Sequence, residues 1–278
     1  MWTVSKPGQS GSQGDCILPR LRGSRRQSVS GHRRHRERSA QGHRRQGAAP
    51  ANRPEWPQFP ARSPDHAFTL ADEAVRTIKL IDITDRKIHL VGHSYGGGVA
   101  LHVALARPER VASLSLYEPS AFHLLAQSQL GERALEEIRE TALAIARDIV
   151  AGDNHAAART FIDYWNGKGS FEALRPSMRD ALAGWMLTAP LNFNALFAET
   201  TPAANYWSLR APVLAMRGER APAPTRIVSG MIPSLFPRAD LKVVPRAGHM
   251  GPLTHPAEVN ALVVEHIAAA KSAMKRAA

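Results

Sequence analysis

From residue 68 onward the apolar positions keep changing period, and each change marks an element. Leu70, Ala74, Ile78 and Ile81 recur at the spacing of one helix face, and Thr69 followed by Glu73 supplies a helix start. The next apolar run, Lys87-Ile88-His89-Leu90-Val91, is short and continuous, as in a buried strand. Residues 99–107 read as a helix stopped by Pro108, and residues 111–117 as a second buried strand that ends at Glu118-Pro119. Strand, tight turn, helix and strand make a βαβ unit, which implies a parallel sheet.

Residues 120–208 interrupt that rhythm with helical patterns only. Leu135, Ile138, Ala142, Ile145 and Ile149 fall on one stripe, and further helices are expected over 154–165 and 171–188. The alternation then resumes, with a strand at 212–216, a helix at 225–235 and a strand at 241–244. A final amphipathic helix follows Pro256 and buries Val259, Leu262, Val263 and Ile267. An all-helical insertion within a parallel-sheet domain is expected to lie as a lid over the carboxyl ends of the strands. The expected fold class is therefore α/β, a mainly parallel sheet with helices on both faces.

Charge divides the chain at about residue 64. Of 36 Lys and Arg and 24 Asp and Glu in all, residues 1–64 hold 13 and 3, so nearly all of the +12 net charge belongs to that segment. Its Arg, Ser, Gly, Gln, His and Pro show no apolar periodicity, and a solvated, disordered tail is expected. Basic arms can bind nucleic acid through phosphates, and transit peptides are also Arg- and Ser-rich. The nearly neutral body makes a nucleic-acid partner an unfavoured reading. His32, His35 and His43 lack carboxylate or cysteine company, which argues against a metal site there. The expected organisation is a basic segment over 1–64, core over 65–119, helical lid over 120–208 and core again over 209–278.

A single cysteine, Cys16, excludes an internal disulfide and a thiolate zinc site. No run approaches the ~18–20 apolar residues of a membrane span. The first 30 residues hold no secretory apolar stretch, so a cytoplasmic location is expected.

The chemistry centres on Gly92-His93-Ser94-Tyr95-Gly96, a G-x-S-x-G sequence between a strand and a helix. Ser94 must occupy a sharp, strained turn for its hydroxyl to project above the sheet, and the flanking glycines remove side chains that would collide there. The helix that follows aims backbone N–H groups at the site, and the Tyr95 N–H is placed to bind an oxyanion.

With this elbow and with Gly248-His249-Met250-Gly251, residues 65–278 resemble the α/β-hydrolase superfamily, specifically its lidded serine hydrolases of the AB hydrolase-1 type. The resemblance implies the order nucleophile, acid, histidine, with His249 as base on the loop after the last strand. His255 reads instead as the entry to the last helix, and the elbow is expected to turn His93 away. Superfamily enzymes usually place the acid as an Asp in a G-x-x-D pattern, where this chain has Gly218-Glu219-Arg220-Ala221. Pancreatic-type lipases and certain haloalkane dehalogenases instead use a carboxylate directly after the preceding strand, and Glu118 stands there. Glu118 is the first candidate acid, Glu219 the alternative, and a degraded triad the third possibility.

Ten of the 17 aromatic residues fall between 119 and 210, and Trp165, Trp185 and Phe197 are candidates for an apolar substrate pocket. The implied activity is hydrolysis of an ester or related acyl substrate through an acyl-enzyme, on a small molecule and with no cofactor or metal. The alternatives are a catalytically impaired binding protein, a C–C bond hydrolase or a cofactor-free peroxidase on the same fold. Residues 1–64 show none of the strands, and no His-Gly oxyanion loop, that superfamily members carry ahead of the elbow. Loss of such a donor costs about 2.7–4 kcal/mol of transition-state stabilisation. A length that fits with a composition that does not points to a changed reading frame upstream, against the alternative of a truncated, repurposed domain.

Overall fold

Four parallel strands with helices between them carry the rhythm read from the sequence. The computed structural model describes residues 67–277. The basic segment expected over 1–64, and any strands or oxyanion loop within it, lie outside the described residues. Helix α1 (Leu70–Asp82) opens at Thr69, whose hydroxyl accepts the Asp72 N–H while the Asp72 carboxylate accepts the Thr69 N–H. The reciprocal partner is Asp72 rather than Glu73, because the third helical residue is the one that can reach back to the cap. Leu70, Ala74 and Ile81 form its buried face.

Strand β1 (Ile88–His93) pairs with β2 (Val111–Tyr117), β2 with β3 (Val213–Gly218), and β3 with β4 (Ala239–Val244). Every pair is parallel, and the order is β1-β2-β3-β4. The register sets His93 beside Tyr117, Tyr117 beside Met216, and Gly218 beside Val244. Ser94, Glu118, Glu219 and the loop after Val244 therefore all leave the sheet at its carboxyl edge, where sites in such sheets form. All seven residues of β2 are buried, as expected for a strand covered on both faces.

Helix α2 (Tyr95–Ala106) begins directly after Ser94, four residues ahead of the 99–107 expected from the apolar pattern. Gly96, Gly97 and Gly98 have no side chains to register in that pattern, yet they are helical and buried. A Cβ on Gly97 would stand 2.7 Å from Pro119, so the absence of a side chain lets the first turn of α2 lie against the end of β2.

Between β2 and β3 lie α3 (Glu132–Val150), α4 (Asn154–Asn166), α5 (Pro176–Trp185) and α6 (Ala189–Phe197), with short 3-10 turns. The stripe Leu135, Ile138, Ala142 and Ile145 is the buried face of α3. The single helix expected over 171–188 is shorter: Pro176 takes the first turn of α5, where a missing N–H costs nothing, and a 3-10 turn over Met186–Thr188 leads into α6. Helix α7 (Ala223–Leu235) links β3 to β4, and α8 (Gly251–Thr254) precedes α9 (Pro256–Ala277). Val259 and Val263 of α9 pack in a cluster with Tyr117, Leu214, Met216 and Val244, and Leu262 and Ile267 flank it. Among the described residues no helix is long and apolar enough to cross a membrane.

Candidate active site

Ser94 stands between β1 and α2 with φ 53° and ψ −127°, a conformation that costs a non-glycine residue about 1–3 kcal/mol. The backbone around it holds that conformation. The Ser94 N–H donates to Tyr117 O at 3.1 Å, and the Ser94 carbonyl accepts the N–H groups of Gly97 (2.8 Å) and Ser120 (3.0 Å). The turn also needs Gly92, because a Cβ there would meet Gly96 O at 2.7 Å and Gly97 Cα at 2.8 Å. The Tyr95 N–H heads α2, at the positive end of the helix dipole.

Glu118 follows β2 with φ 41° and is completely buried. Its carboxylate accepts three hydrogen bonds: from the Gly218 N–H at 2.9 Å, from the Thr225 hydroxyl at 2.8 Å and from His249 Nδ1 at 2.8 Å. A carboxylate only accepts, so the Nδ1 of His249 carries the proton and Nε2 presents a lone pair. That nitrogen lies 2.8 Å from Ser94 Oγ and accepts its hydroxyl. Ser94, His249 and Glu118 thus form one continuous relay of hydrogen bonds, with His249 only 2% exposed.

The loop carrying His249 is fixed from below. The Tyr117 hydroxyl donates to Gly248 O at 2.8 Å and packs against Gly251, where a Cβ would overlap it. His93 Nε2–H donates to the His249 carbonyl at 2.8 Å, and its ring centroid lies 5.0 Å from that of His249. The His93 ring thus engages the His249 loop rather than the Ser94 hydroxyl, in keeping with an elbow that turns it away from the serine. Burial first, and the neighbouring His249 second, hold the His93 pKa down to about 3, so His93 is a neutral donor near pH 7. The indole of Trp165 stacks on the His249 imidazole, with centroids 4.0 Å apart and planes at 26°.

Glu219, the alternative acid, is exposed and accepts the Arg246 N–H at 2.8 Å. No hydrogen bond joins it to His249, whose Nδ1 is engaged by Glu118. His255 hydrogen-bonds Thr254 Oγ1 at the entry to α9.

A cavity of about 120 Å³ opens beside Ser94, lined by Tyr95, Ser120, Phe122, Phe161, Trp165, Trp185, Ala189, Asn192, Phe193 and Leu196. None of these side chains is charged. Trp165 and Trp185 line it, whereas Phe197 does not. Phe197 is corrected to a packing residue, stacked on Phe193 at 5.9 Å and tilted against Phe122 at 6.0 Å.

Three residues of this site were not singled out for it in the sequence. Thr225 holds Glu118, His93 holds the His249 loop, and Ser120 places its hydroxyl 3.4 Å from Ser94 Oγ. The signal for Thr225 was available, since Thr225 and Ser229 put two polar residues at i and i+4 on the buried face of α7. Among the described residues no group of three or more His, Cys, Asp and Glu is placed to hold a metal ion.

The profile of the Alpha/beta hydrolase family matches residues 8–262. The chain belongs to that family. The match starts within the basic stretch that shows no strand pattern of its own. Lipase LipV of Mycobacterium tuberculosis (strain ATCC 25618 / H37Rv) is 28% identical over 193 residues, covering 64% of this chain and 68% of the lipase. The dihydrolipoyllysine-residue acetyltransferase component of an acetoin cleaving system from Pseudomonas putida is 32% identical over 215 residues. That alignment covers 68% of this chain and 48% of the relative, so the hydrolase spans about half of that protein's length. A hydrolase from Pseudomonas aeruginosa PA01 shares the fold with a TM-score of 0.57 at 22% identity, over 73% of this chain and 74% of that one. The protein is an α/β-fold hydrolase.

Proposed function

We propose that this hydrolase cleaves esters with a compact, uncharged acyl group through an acyl-enzyme on Ser94. The observation that carries the reading is the relay from Ser94 Oγ through His249 to Glu118, with both contacts at 2.8 Å, opening on an uncharged cavity. Its parts act in sequence. Ser94 Oγ attacks the ester carbonyl carbon while its proton passes to His249 Nε2. The imidazolium so formed keeps its Nδ1–H on the buried Glu118 carboxylate, which compensates the new charge. The Tyr95 N–H donates to the carbonyl oxygen as it gains negative charge. Collapse of the tetrahedral species breaks the ester C–O bond, and His249 returns the proton to the departing alcohol. Water, deprotonated by His249, then releases the acid and restores Ser94.

The substrate class follows from the cavity. Aromatic and aliphatic walls with Asn192 as an amide favour a short acyl chain or a single ring, and an acyl group bearing a carboxylate would be desolvated without a cation to pair. The helices of the insertion supply Phe161, Trp165, Trp185 and Phe193 to these walls, in the role of a lid that selects the substrate.

A series of p-nitrophenyl esters of increasing chain length tests this reading. Acetate to butyrate should turn over with higher kcat/KM than octanoate and longer chains, and Ser94→Ala should remove all turnover. Flat activity across the series would contradict the compact pocket, and turnover surviving in Ser94→Ala would contradict the mechanism.

A further inference from the structure

We infer that Trp165 is a positioning residue that sets the base strength of His249, so that the helical insertion contributes to proton transfer as well as to the pocket wall. The inference rests on the reading of His249 as general base. The geometry is a face-to-face stack, at 4.0 Å and 26°, between an indole that is 5% exposed and an imidazole that is 2% exposed. The negative face of an indole attracts a cation lying over it, and the attraction grows when water is excluded. When His249 takes the Ser94 proton, its positive charge develops in the ring that Trp165 covers. Glu118 meets that charge in the ring plane at Nδ1, and Trp165 meets it from above the plane. The two contacts are geometrically independent.

Trp165 is held in this place from its own side. The edge-on contact of Tyr164 at 4.7 Å and of Phe161 at 6.3 Å braces the indole. The Tyr164 hydroxyl donates to Glu137 of α3 at 2.7 Å, and the Asp163 carboxylate accepts the Gly169 and Phe171 N–H groups after α4. These bonds occupy the titratable neighbours of Trp165 on α4, and His155 and Arg159 pair with Asp180 and Glu172. Among the described residues, the titratable groups in contact with the His249 ring are Glu118 at Nδ1 and His93 beside the ring. Burial keeps His93 neutral at the pH of interest, so it adds no competing cation. Among these neighbours the indole is the one that a substitution on α4 removes while Glu118, Thr225 and Ser94 stay in place.

Two variants separate the π face from mere burial: Trp165→Leu keeps an apolar cover without the ring cloud, and Trp165→Phe keeps a weaker one. The readout is the titration midpoint of the His249 Cε1–H resonance by NMR in the full chain without substrate, assigned by its absence from His249→Gln. The midpoint should fall in the order wild type, Phe, Leu. The total drop should be about one pH unit, a tenfold change that corresponds to about 1.36 kcal/mol. The acid limb of kcat/KM should move the same way. A wall residue and nothing more would change KM and leave the NMR midpoint in place, and an unchanged or raised midpoint in Trp165→Leu overturns the inference. The NMR midpoint does not depend on turnover, so a failed ester assay with the expected midpoint order would count against the proposed reaction and not against the stack.

Discussion

Glu118 Oε2 lies 2.8 Å from Nδ1 of His249, although 131 residues separate the two in the chain. The parallel register brings them together: Tyr117 ends β2 beside Met216, and Gly218 ends β3 beside Val244, so the residues that follow each strand meet at one edge. The carboxylate that pairs with His249 is therefore the one after β2. After β3 the chain has a buried Ala221, and the Glu219 carboxylate accepts the Arg246 N–H.

Glu118→Gln should therefore lower kcat by about 10⁴-fold, because an amide can present its NH₂ to Nδ1 and favour the wrong imidazole tautomer. Glu219→Gln should change kcat less than about threefold, a margin far below one lost charge-assisted hydrogen bond. Steady-state kinetics on both variants checks the pair, and the reverse ranking would move the acid to Glu219.

Thr225 is a second lever on the same carboxylate. Thr225→Val removes a donor from buried Glu118 with little change of shape, and should cost about 1–3 kcal/mol of stability and reduce kcat. Thr225→Ser keeps the hydroxyl and should fall between. Urea denaturation with parallel kinetics measures both effects. Equal behaviour of Val and Ser would mean that the bond contributes nothing.

Much of this was legible before the structure. The period changes located β1, β2, β3 and β4, and the elbow and the last loop named Ser94 and His249, because those signals are local. Glu118 was legible only as one of two carboxylates, since its pairing with His249 depends on which strand ends adjoin. Gly96, Gly97 and Gly98 concealed the start of α2, because a glycine leaves no mark in an apolar pattern. The support that His93 gives to the His249 loop was not legible, because that hydrogen bond goes to His249 O, 156 residues away.

The elbow itself gives a stability prediction. Gly92→Ala would press a methyl group against Gly96 O and Gly97 Cα, both closer than 3 Å, and both are backbone. Overpacking of this kind costs about 1–3 kcal/mol, so the melting temperature should drop and Ser94 should lose reactivity together. A variant with unchanged Tm and activity would show that the turn tolerates a side chain.

His93 sets a pH dependence. Its pKa is about 3 in the folded protein against 6.5 for an unperturbed imidazole. Between those values the unfolded chain binds a proton that the folded protein refuses, so stability falls as pH drops through that window. His93→Gln retains an N–H donor and does not titrate, so its loss of stability from pH 6.5 toward 3 should be shallower than that of the wild type. Parallel curves for the two proteins would contradict the buried, neutral assignment.

The central claim is that Ser94 is a nucleophile activated by His249. A fluorophosphonate probe followed by peptide mass spectrometry tests it without knowledge of the substrate. The account predicts one modified residue, Ser94, with labelling abolished in Ser94→Ala and slowed by orders of magnitude in His249→Gln. Folded wild-type protein that remains unlabelled, or labelling that persists in Ser94→Ala, would contradict it.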